Sequence, residues 1–493
     1  MGIVQRQTIK SSVYSYTGAI LGFVTTGILL PQLCTTEQNG LLIMLVQLSV
    51  LGAQIFSLGT TSISVKFFPY FRNTEKGHNG ILYLLLMLST IGSLLAVVVY
   101  FVGKDFFVDA FIEKSPLLVE YLYLLIPLSI FTIYFNTIDA YTRGLFNAST
   151  GILIKEFIQR LIILLFIGML FLHLIRFEQF LYLYVIAICI PALLIIMYLV
   201  YKKSFHVSKA SKPLPKRLSK YMFTFGSYSL LTGFASLLVN TIDNTMITKI
   251  MGLSDTGIYG RAFIFGTLIA IPGRSMNRVS SALISEAWKR KDIAYISDFY
   301  RRSCLTQLIV GCFLFLGVWG NIGNIMHILP GEYASGKYVI FYIALMSLFD
   351  MATGANGIII TSSRYYRFEF FSMLMLIFLC FVTNWLLIPL YGIVGAAIAT
   401  AVTIFIFNLA RVIFLYIRFR MFPYNMQNLK IVLVTLITLG IASVIPQMDN
   451  FIIDIIIRSA VITFVFGLLI YFLRISADIN SRIDHVLSTL KKQ

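Results

Sequence analysis

ILYLLLMLSTIGSLLAVVVYFV, residues 81–102, runs for 22 positions without a charge, a proline or an amide side chain. At about 1.5 Å per helical residue it reaches roughly 33 Å, enough to cross a hydrocarbon core about 30 Å thick. It is one of fourteen such stretches, near 12–31, 41–65, 80–102, 117–148, 157–175, 180–201, 222–248, 257–283, 303–325, 338–362, 368–388, 390–416, 430–446 and 453–473. The gaps between them alternate in charge. Of the 39 Lys and Arg, 32 fall in the two termini, every second gap and the span ends bordering them. The other side holds only Lys104, Lys114, Arg176, Lys249, Arg261, Lys337 and Arg458. Because basic residues stay on the cytoplasmic side during insertion, the pattern predicts an all-α polytopic membrane protein of fourteen transmembrane helices with both termini cytoplasmic.

Composition agrees. Hydrophobic residues make up 58% and charged residues 12%, against about 25% charged in a typical soluble domain. The net charge of +18 is spread over eight segments of one membrane side, so anionic lipid head groups account for it and nucleic-acid binding is excluded. Cys34, Cys189, Cys304, Cys312 and Cys380 show no metal-ligand or disulfide spacing and read as small apolar packing residues. The flank Gln5-Arg6-Gln7-Thr8-Ile9-Lys10 enters a full-length helix without a cleavage motif, so the first span is expected to act as a signal anchor. No loop is long enough for a soluble domain. Function is expected inside the bilayer.

The longest basic gap, around 202–221, carries Ser-Lys-Pro-Leu-Pro-Lys-Arg and reads as a linker between halves. Thr36-Glu37-Gln38-Asn39-Gly40-Leu41 opens the second span, and Ser254-Asp255-Thr256-Gly257-Ile258-Tyr259 opens the eighth. Arg143-Gly144-Leu145 likewise falls on Asn356-Gly357-Ile358. The organisation expected is a six-helix lobe at 1–201, the linker at 202–221, a second six-helix lobe at 222–417, and two additional helices with a tail at 418–493. Six spans per half make the lobes parallel repeats about an axis along the membrane normal.

Charges inside spans cost about 2.5–3.5 kcal/mol each on insertion scales, so each is a site candidate. Asn136, Asp139, Arg143 and Asn147 follow i, i+3, i+7, i+11 on span four. Asn240, Asp243 and Asn244 share a face of span seven; Ser347, Asp350, Thr353, Gly354 and Gly357 share one on span ten. Asp243 and Asp350 are candidates to hold a proton or Na⁺, with Na⁺ at Asp243 the metal reading, since hard cations take carboxylate and amide oxygens. Arg274 and Arg278, four apart on span eight, suit a lipid-linked phosphate. The plainer alternatives are an i, i+4 ion pair for Asp139 and Arg143, mutual neutralisation of Asp243 and Arg261, and snorkelling of Arg274, Arg278 and Lys66 to head groups. Gly18 and Gly22 form a GxxxG that permits close helix contact. Gly331-Glu332-Tyr333-Ala334-Ser335-Gly336-Lys337 mimics a phosphate-binding loop but ends in Tyr338 on the external side, and is rejected as a nucleotide site.

Spans one to twelve resemble the multidrug/oligosaccharidyl-lipid/polysaccharide exporter superfamily, especially its polysaccharide-biosynthesis (Wzx-type) flippases. The likeness rests on the segment from Thr36 to Leu41, on Arg143-Gly144-Leu145, and on Tyr391-Gly392-Ile393-Val394-Gly395-Ala396-Ala397-Ile398-Ala399-Thr400. It implies two V-shaped lobes, alternating access, and translocation of an undecaprenyl-diphosphate-linked oligosaccharide to the outer leaflet of the bacterial cytoplasmic membrane for surface polysaccharide assembly. It further implies cation sites in the second lobe, at places broadly matched here by Asp243, Asp350, Asn384 and Thr400; Asn240 joins them from its face of span seven. From the residues themselves, Arg143, Arg274 and Arg278, with Asn136 and Asp139, are expected to form the substrate site. No enzyme activity and no resident cofactor are expected, only coupling to Na⁺ or H⁺. The expected partners are the lipid-linked oligosaccharide, membrane lipids and a polysaccharide polymerase, the protein itself being a monomer. A cation-coupled multidrug exporter is the alternative, though span one lacks the acid common in that branch. A membrane-embedded polymerase or ligase is a more distant one.

Overall fold

The computed structural model describes residues 3–73, 77–145, 147–207, 215–476 and 480–481. Among them every regular element is a helix: α1 Ile3–Gly22, α2 Leu30–Leu33, α3 Thr36–Phe56, α4 Thr60–Phe71, α5 Ile81–Phe111, α6 Pro116–Glu120, α7 Leu125–Gly144, α8 Ala148–Ile152, α9 Gln159–Phe171 and α10 Phe177–Tyr201. After the basic gap come α11 Lys216–Ile250, α12 Leu253–Thr267, α13 Ile271–Arg290, α14 Ile293–Gly320, α15 Ile322–Ile328, α16 Lys337–Ala352, α17 Asn356–Ser362, α18 Tyr366–Phe419, α19 Met426–Val444 and α20 Phe451–Phe472. Hydrocarbon offers no partner for a backbone amide, so the chain answers with helices that satisfy their own.

Among the described residues, eleven helices are individually long and apolar enough to cross a membrane. The difference from the fourteen expected stretches has three physical sources. α18 covers two of them and reverses at Gly392, whose φ of 60° and ψ of −139° no helix allows. Gly395 follows so closely that a Cβ there would stand 2.0 Å from the Leu387 carbonyl oxygen. The expected span at 157–175 is joined to α8 through a π-helical turn at Leu153–Ile158. The span at 257–283 is broken between α12 and α13 by a 3₁₀ turn at Leu268–Ala270, with Pro272 just beyond it.

Contacts divide the chain into two compact units, Met1–Gly260 and Arg261–Gln493. In the first, α7 is central and packs on α3, α4, α5 and α10. Two apolar layers surround it. One holds Leu30, Leu41, Leu45, Leu128 and Phe180, the other Phe67, Phe68, Leu85, Ile138 and Leu199. A buried hydroxyl chain, Thr60 to Thr137 at 2.8 Å and Thr137 to Ser89 at 2.9 Å, ties α4, α7 and α5 together. In the second unit α16 packs on α14 and α18, while α14 carries α19 and α20.

The expected linker at 202–221 joins α10 to α11 within the first unit; residues 208–214 of it lie outside the described ones. α11 lies along α3 and α4. Gly59, at φ 74°, meets the Gly226 backbone, where a Cβ would stand 2.6 Å from the carbonyl oxygen. Lys66 Nζ donates to the Tyr221 hydroxyl at 3.0 Å and sits 3.7 Å above the Phe225 ring. Lys66 is thus engaged by aromatic faces.

The two matching motifs found in the sequence touch each other. Thr35 and Gln38 close a capping box at the start of α3, and the Thr36 hydroxyl meets that of Ser254 at 2.7 Å. A Cβ on Gly40 would stand 1.9 Å from the Leu253 carbonyl oxygen; a Cβ on Gly257 would stand 1.9 Å from that of Thr36. The contact is reciprocal, as across a two-fold axis. Gly257→Ala should therefore force α3 and α12 apart and destabilise the protein by about 1–3 kcal/mol. Gly168→Ala, where a Cβ meets nothing within 4 Å, should change stability by less than about 0.5 kcal/mol. Thermal unfolding of the two variants in detergent checks the contrast.

Candidate functional site

In the first unit the stripe on span four becomes one wall of a charged cluster. Arg143 Nη2 donates to Asp139 Oδ2 at 3.1 Å, so the i, i+4 pair forms; the Asp139 side chain is 18% exposed and that of Arg143 43%. Asn136 is half-buried on the same helix. Asn147 leaves the stripe because α7 ends at Gly144; its amide donates to the Tyr198 hydroxyl instead. Opposite Asp139 the chain needs glycine, since a Cβ on Gly151 would stand 1.7 Å from Asp139 Oδ1.

The π-helical turn after α8 supplies the other wall. An extra residue in a turn breaks the regular 3.6 phase, and here it presents Lys155 and Glu156 ahead of Arg160. Lys155 Nζ lies 5.1 Å from the Phe135 ring centroid and within electrostatic reach of Asp139. Arg160 Nη2 donates to Glu156 Oε2 at 2.7 Å, and Nη1 donates to the Gly18 carbonyl. A Cβ on Gly22 would stand 1.6 Å from Arg160 Nη1. The GxxxG of span one is therefore a seat for a guanidinium. Among the described residues the cluster holds three cations, Arg143, Lys155 and Arg160, against two acids, Asp139 and Glu156.

Asp243 is buried on α11 and accepts the Tyr259 hydroxyl at 2.7 Å. Asn244 beside it keeps its Oδ1 buried and without a hydrogen bond. The side chain of Asn240 lies outside the described residues. No group of three or more His, Cys, Asp or Glu able to hold a metal is found among the described residues.

In the second unit Asp350 is exposed near the end of α16, and its partner is neutral: Asn408 Nδ2 donates to Asp350 Oδ1 at 3.2 Å. Asn408 Oδ1 accepts from Thr353 Oγ1 and Asn356 Nδ2, each at 3.1 Å. One turn along α18, Arg411 Nε donates to Glu369 Oε2 at 3.1 Å and its guanidinium stacks 3.9 Å from the Phe407 ring centroid. The pair is nearly sealed, with side chains 12% and 14% exposed. Asn384 is buried and donates to Cys380, and Thr400 is half-buried on the returning arm of α18. Arg274 is exposed on α13; the side chain of Arg278 lies outside the described residues.

The profile of the polysaccharide biosynthesis protein family matches residues 4–283. The chain belongs to that family. An uncharacterized membrane protein of Methanocaldococcus jannaschii is 23% identical over 425 residues, which cover 80% of this chain and 93% of that one. Among solved structures, the lipid II flippase MurJ in an inward closed conformation aligns over 95% of this chain and all of its own, with a TM-score of 0.75 at 16% identity. An inward-facing multidrug resistance MATE family transporter of the MOP superfamily covers 82% of this chain and 94% of itself, with a TM-score of 0.66 at 12% identity. A MOP superfamily transporter from Pyrococcus furiosus covers 85% and 95%, with a TM-score of 0.54 at 12% identity. The chain shares the fold of these proteins, one a lipid II flippase and two transporters of the MOP superfamily.

The family match takes in Asn136, Asp139, Arg143, Asp243, Arg274 and Arg278, while Asp350, Asn384 and Thr400 lie beyond it. Lys155, Glu156, Arg160, Glu369, Asn408 and Arg411 escaped the sequence reading. Glu369 and Arg411 did carry a signal: opposite charges at matching depths on consecutive spans. Removing one partner of a buried pair strands the other charge, so Arg411→Met should destabilise by about 3–5 kcal/mol, whereas Arg411→Met with Glu369→Met should recover most of that loss. Unfolding midpoints of the single and double variants decide it.

Proposed function

We propose that the protein is a flippase that moves an undecaprenyl-diphosphate-linked oligosaccharide from the inner to the outer leaflet of the cytoplasmic membrane by alternating access, for surface polysaccharide assembly. The observation that carries this reading is the cation excess in the first unit, where Arg143, Lys155 and Arg160 outnumber Asp139 and Glu156 on half-buried helix faces. A diphosphate matches such a face, because guanidinium and ammonium groups donate charge-assisted hydrogen bonds to phosphate oxygens. Membership of the polysaccharide biosynthesis family and the flippase-like fold support it. A multidrug exporter of cationic drugs would favour an acidic face instead.

In this reading Arg143, Asn136 and Asp139 face the substrate, with Arg274 and Arg278 attracting the phosphate as it enters. Asp243 and Asp350, with Asn240, Asn384 and Thr400, couple movement to Na⁺ or H⁺. The buried and unpaired amide oxygen of Asn244 beside the Asp243 carboxylate suits a cation. Both termini face the cytoplasm, the two repeats and two added helices form one monomer, and a polysaccharide polymerase takes the product.

Reconstitution in liposomes with a fluorescent polyprenyl-diphosphate oligosaccharide tests the reading. Each of Arg143→Ala and Lys155→Ala should slow translocation about tenfold, the effect of losing a charged hydrogen bond. Asp243→Asn and Asp350→Asn should remove its dependence on an imposed ion gradient. Translocation rates within twofold of wild type in the cation variants would defeat the proposed substrate; an unchanged gradient dependence would defeat the coupling.

A further inference from the structure

Lys337 is one of the seven basic residues on the basic-poor side. It opens α16, the helix end where the peptide dipole disfavours a cation, and among the described residues no carboxylate pairs with it. It lines a cavity of about 640 Å³ within the second unit, together with Asn324, Gly440, Gln447, Asp454 and Arg458. α14 and α19 end at this cavity and α16 and α20 begin there, so it opens on one membrane face.

The floor of the cavity is a built polar layer. Arg458 donates from Nε to Asp454 Oδ2 at 3.0 Å and from Nη2 to Oδ1 at 3.1 Å. Asp454 also accepts from the Met448 amide at 3.2 Å and from the Asn324 amide group. Its charge is cancelled and its oxygens are occupied, so it does not serve as a cation ligand. The guanidinium also takes the carbonyls that end α19, with Ala442 at 2.8 Å and Ile445 at 3.3 Å. Arg458 is 8% exposed, Asp454 1% and Asn324 3%. Among the described residues the Lys337 ammonium is the charge of the lining left without a carboxylate partner. Beside it Leu436, 59% exposed, continues the wall as apolar surface towards lipid.

A polar cavity with one free cation and an apolar margin fits an amphiphile bearing a single phosphate. We propose that this cavity holds the phosphate of a lipid head group at that membrane face, with Lys337 as its charge partner, the Gln447 amide against the head group, and the chains leaving over Leu436. The site is separate from the charged cluster of the first unit and stands whatever substrate is translocated.

The test uses the full-length protein, stripped of lipid in neutral detergent, with dihexanoylphosphatidylglycerol, dihexanoylglycerol and inorganic phosphate as probes. Thermal unfolding gives the half-saturating concentration, and native mass spectrometry counts bound lipid. The phospholipid should raise the unfolding temperature of the wild type, and dihexanoylglycerol and inorganic phosphate should not. Lys337→Met should raise the half-saturating concentration about tenfold, as loss of a charge-assisted contact to phosphate would. Gly440→Phe, placed where a Cβ meets nothing within 4 Å, should fold as the wild type does and fill the cavity, abolishing the bound-lipid peak. Equal shifts in wild type and Lys337→Met, retained lipid in a folded Gly440→Phe, or an equal response to inorganic phosphate would each overturn the proposal.

Discussion

Inside hydrocarbon no water is at hand to satisfy a backbone amide or solvate a charge, and the whole chain is shaped by that shortage. The backbone is answered by helices. The charges are answered mostly within one turn: Asp139 with Arg143, Glu156 with Arg160, and Asp454 with Arg458 all stand four residues apart on a single helix. Such a pair enters the bilayer already neutralised, before any tertiary contact forms. Glu369 and Arg411 differ, because their pairing depends on the two arms of α18 folding back at Gly392.

Departures from regular helix fall beside these charged groups. The π-helical turn at Leu153–Ile158 carries Lys155 and Glu156, and the break between α16 and α17 carries Thr353, with Asp350 a turn before it. Irregular backbone frees polar groups that only protein or water can satisfy, so it is tolerated where neighbouring helices supply partners. Near this break the Thr353 hydroxyl and the Asn356 amide group both donate to Asn408, whose own amide donates to Asp350.

Most of the fold was legible, because length and apolarity alone mark a membrane span. Residues 81–102 needed nothing else. The reversal between spans 368–388 and 390–416 was expected and falls at Gly392, but the π turn was not legible, since it leaves no trace in hydropathy. In the candidate site, Asp139 and Arg143 could be paired from spacing. Lys155 and Glu156 could not, since they look like the flank of a span starting at 157 and become part of a wall only through the added residue of the π turn. Gly18 and Gly22 were read as a point of close approach, but the partners, the Glu156 backbone at Gly18 and the Arg160 guanidinium at Gly22, depend on tertiary placement. Asn408 had no signal of its own; an amide in an apolar span becomes informative only when Asp350 is seen beside it.

The reciprocal contact of Gly40 with Leu253 and of Gly257 with Thr36 also bears on how this sequence can drift. Each glycine is held by the other helix's backbone, which no side-chain exchange can relieve. A larger residue at either position is accommodated only by a shift that moves both crossing points together. Two codons more than two hundred apart are therefore under one shared constraint, and neither is free to vary alone.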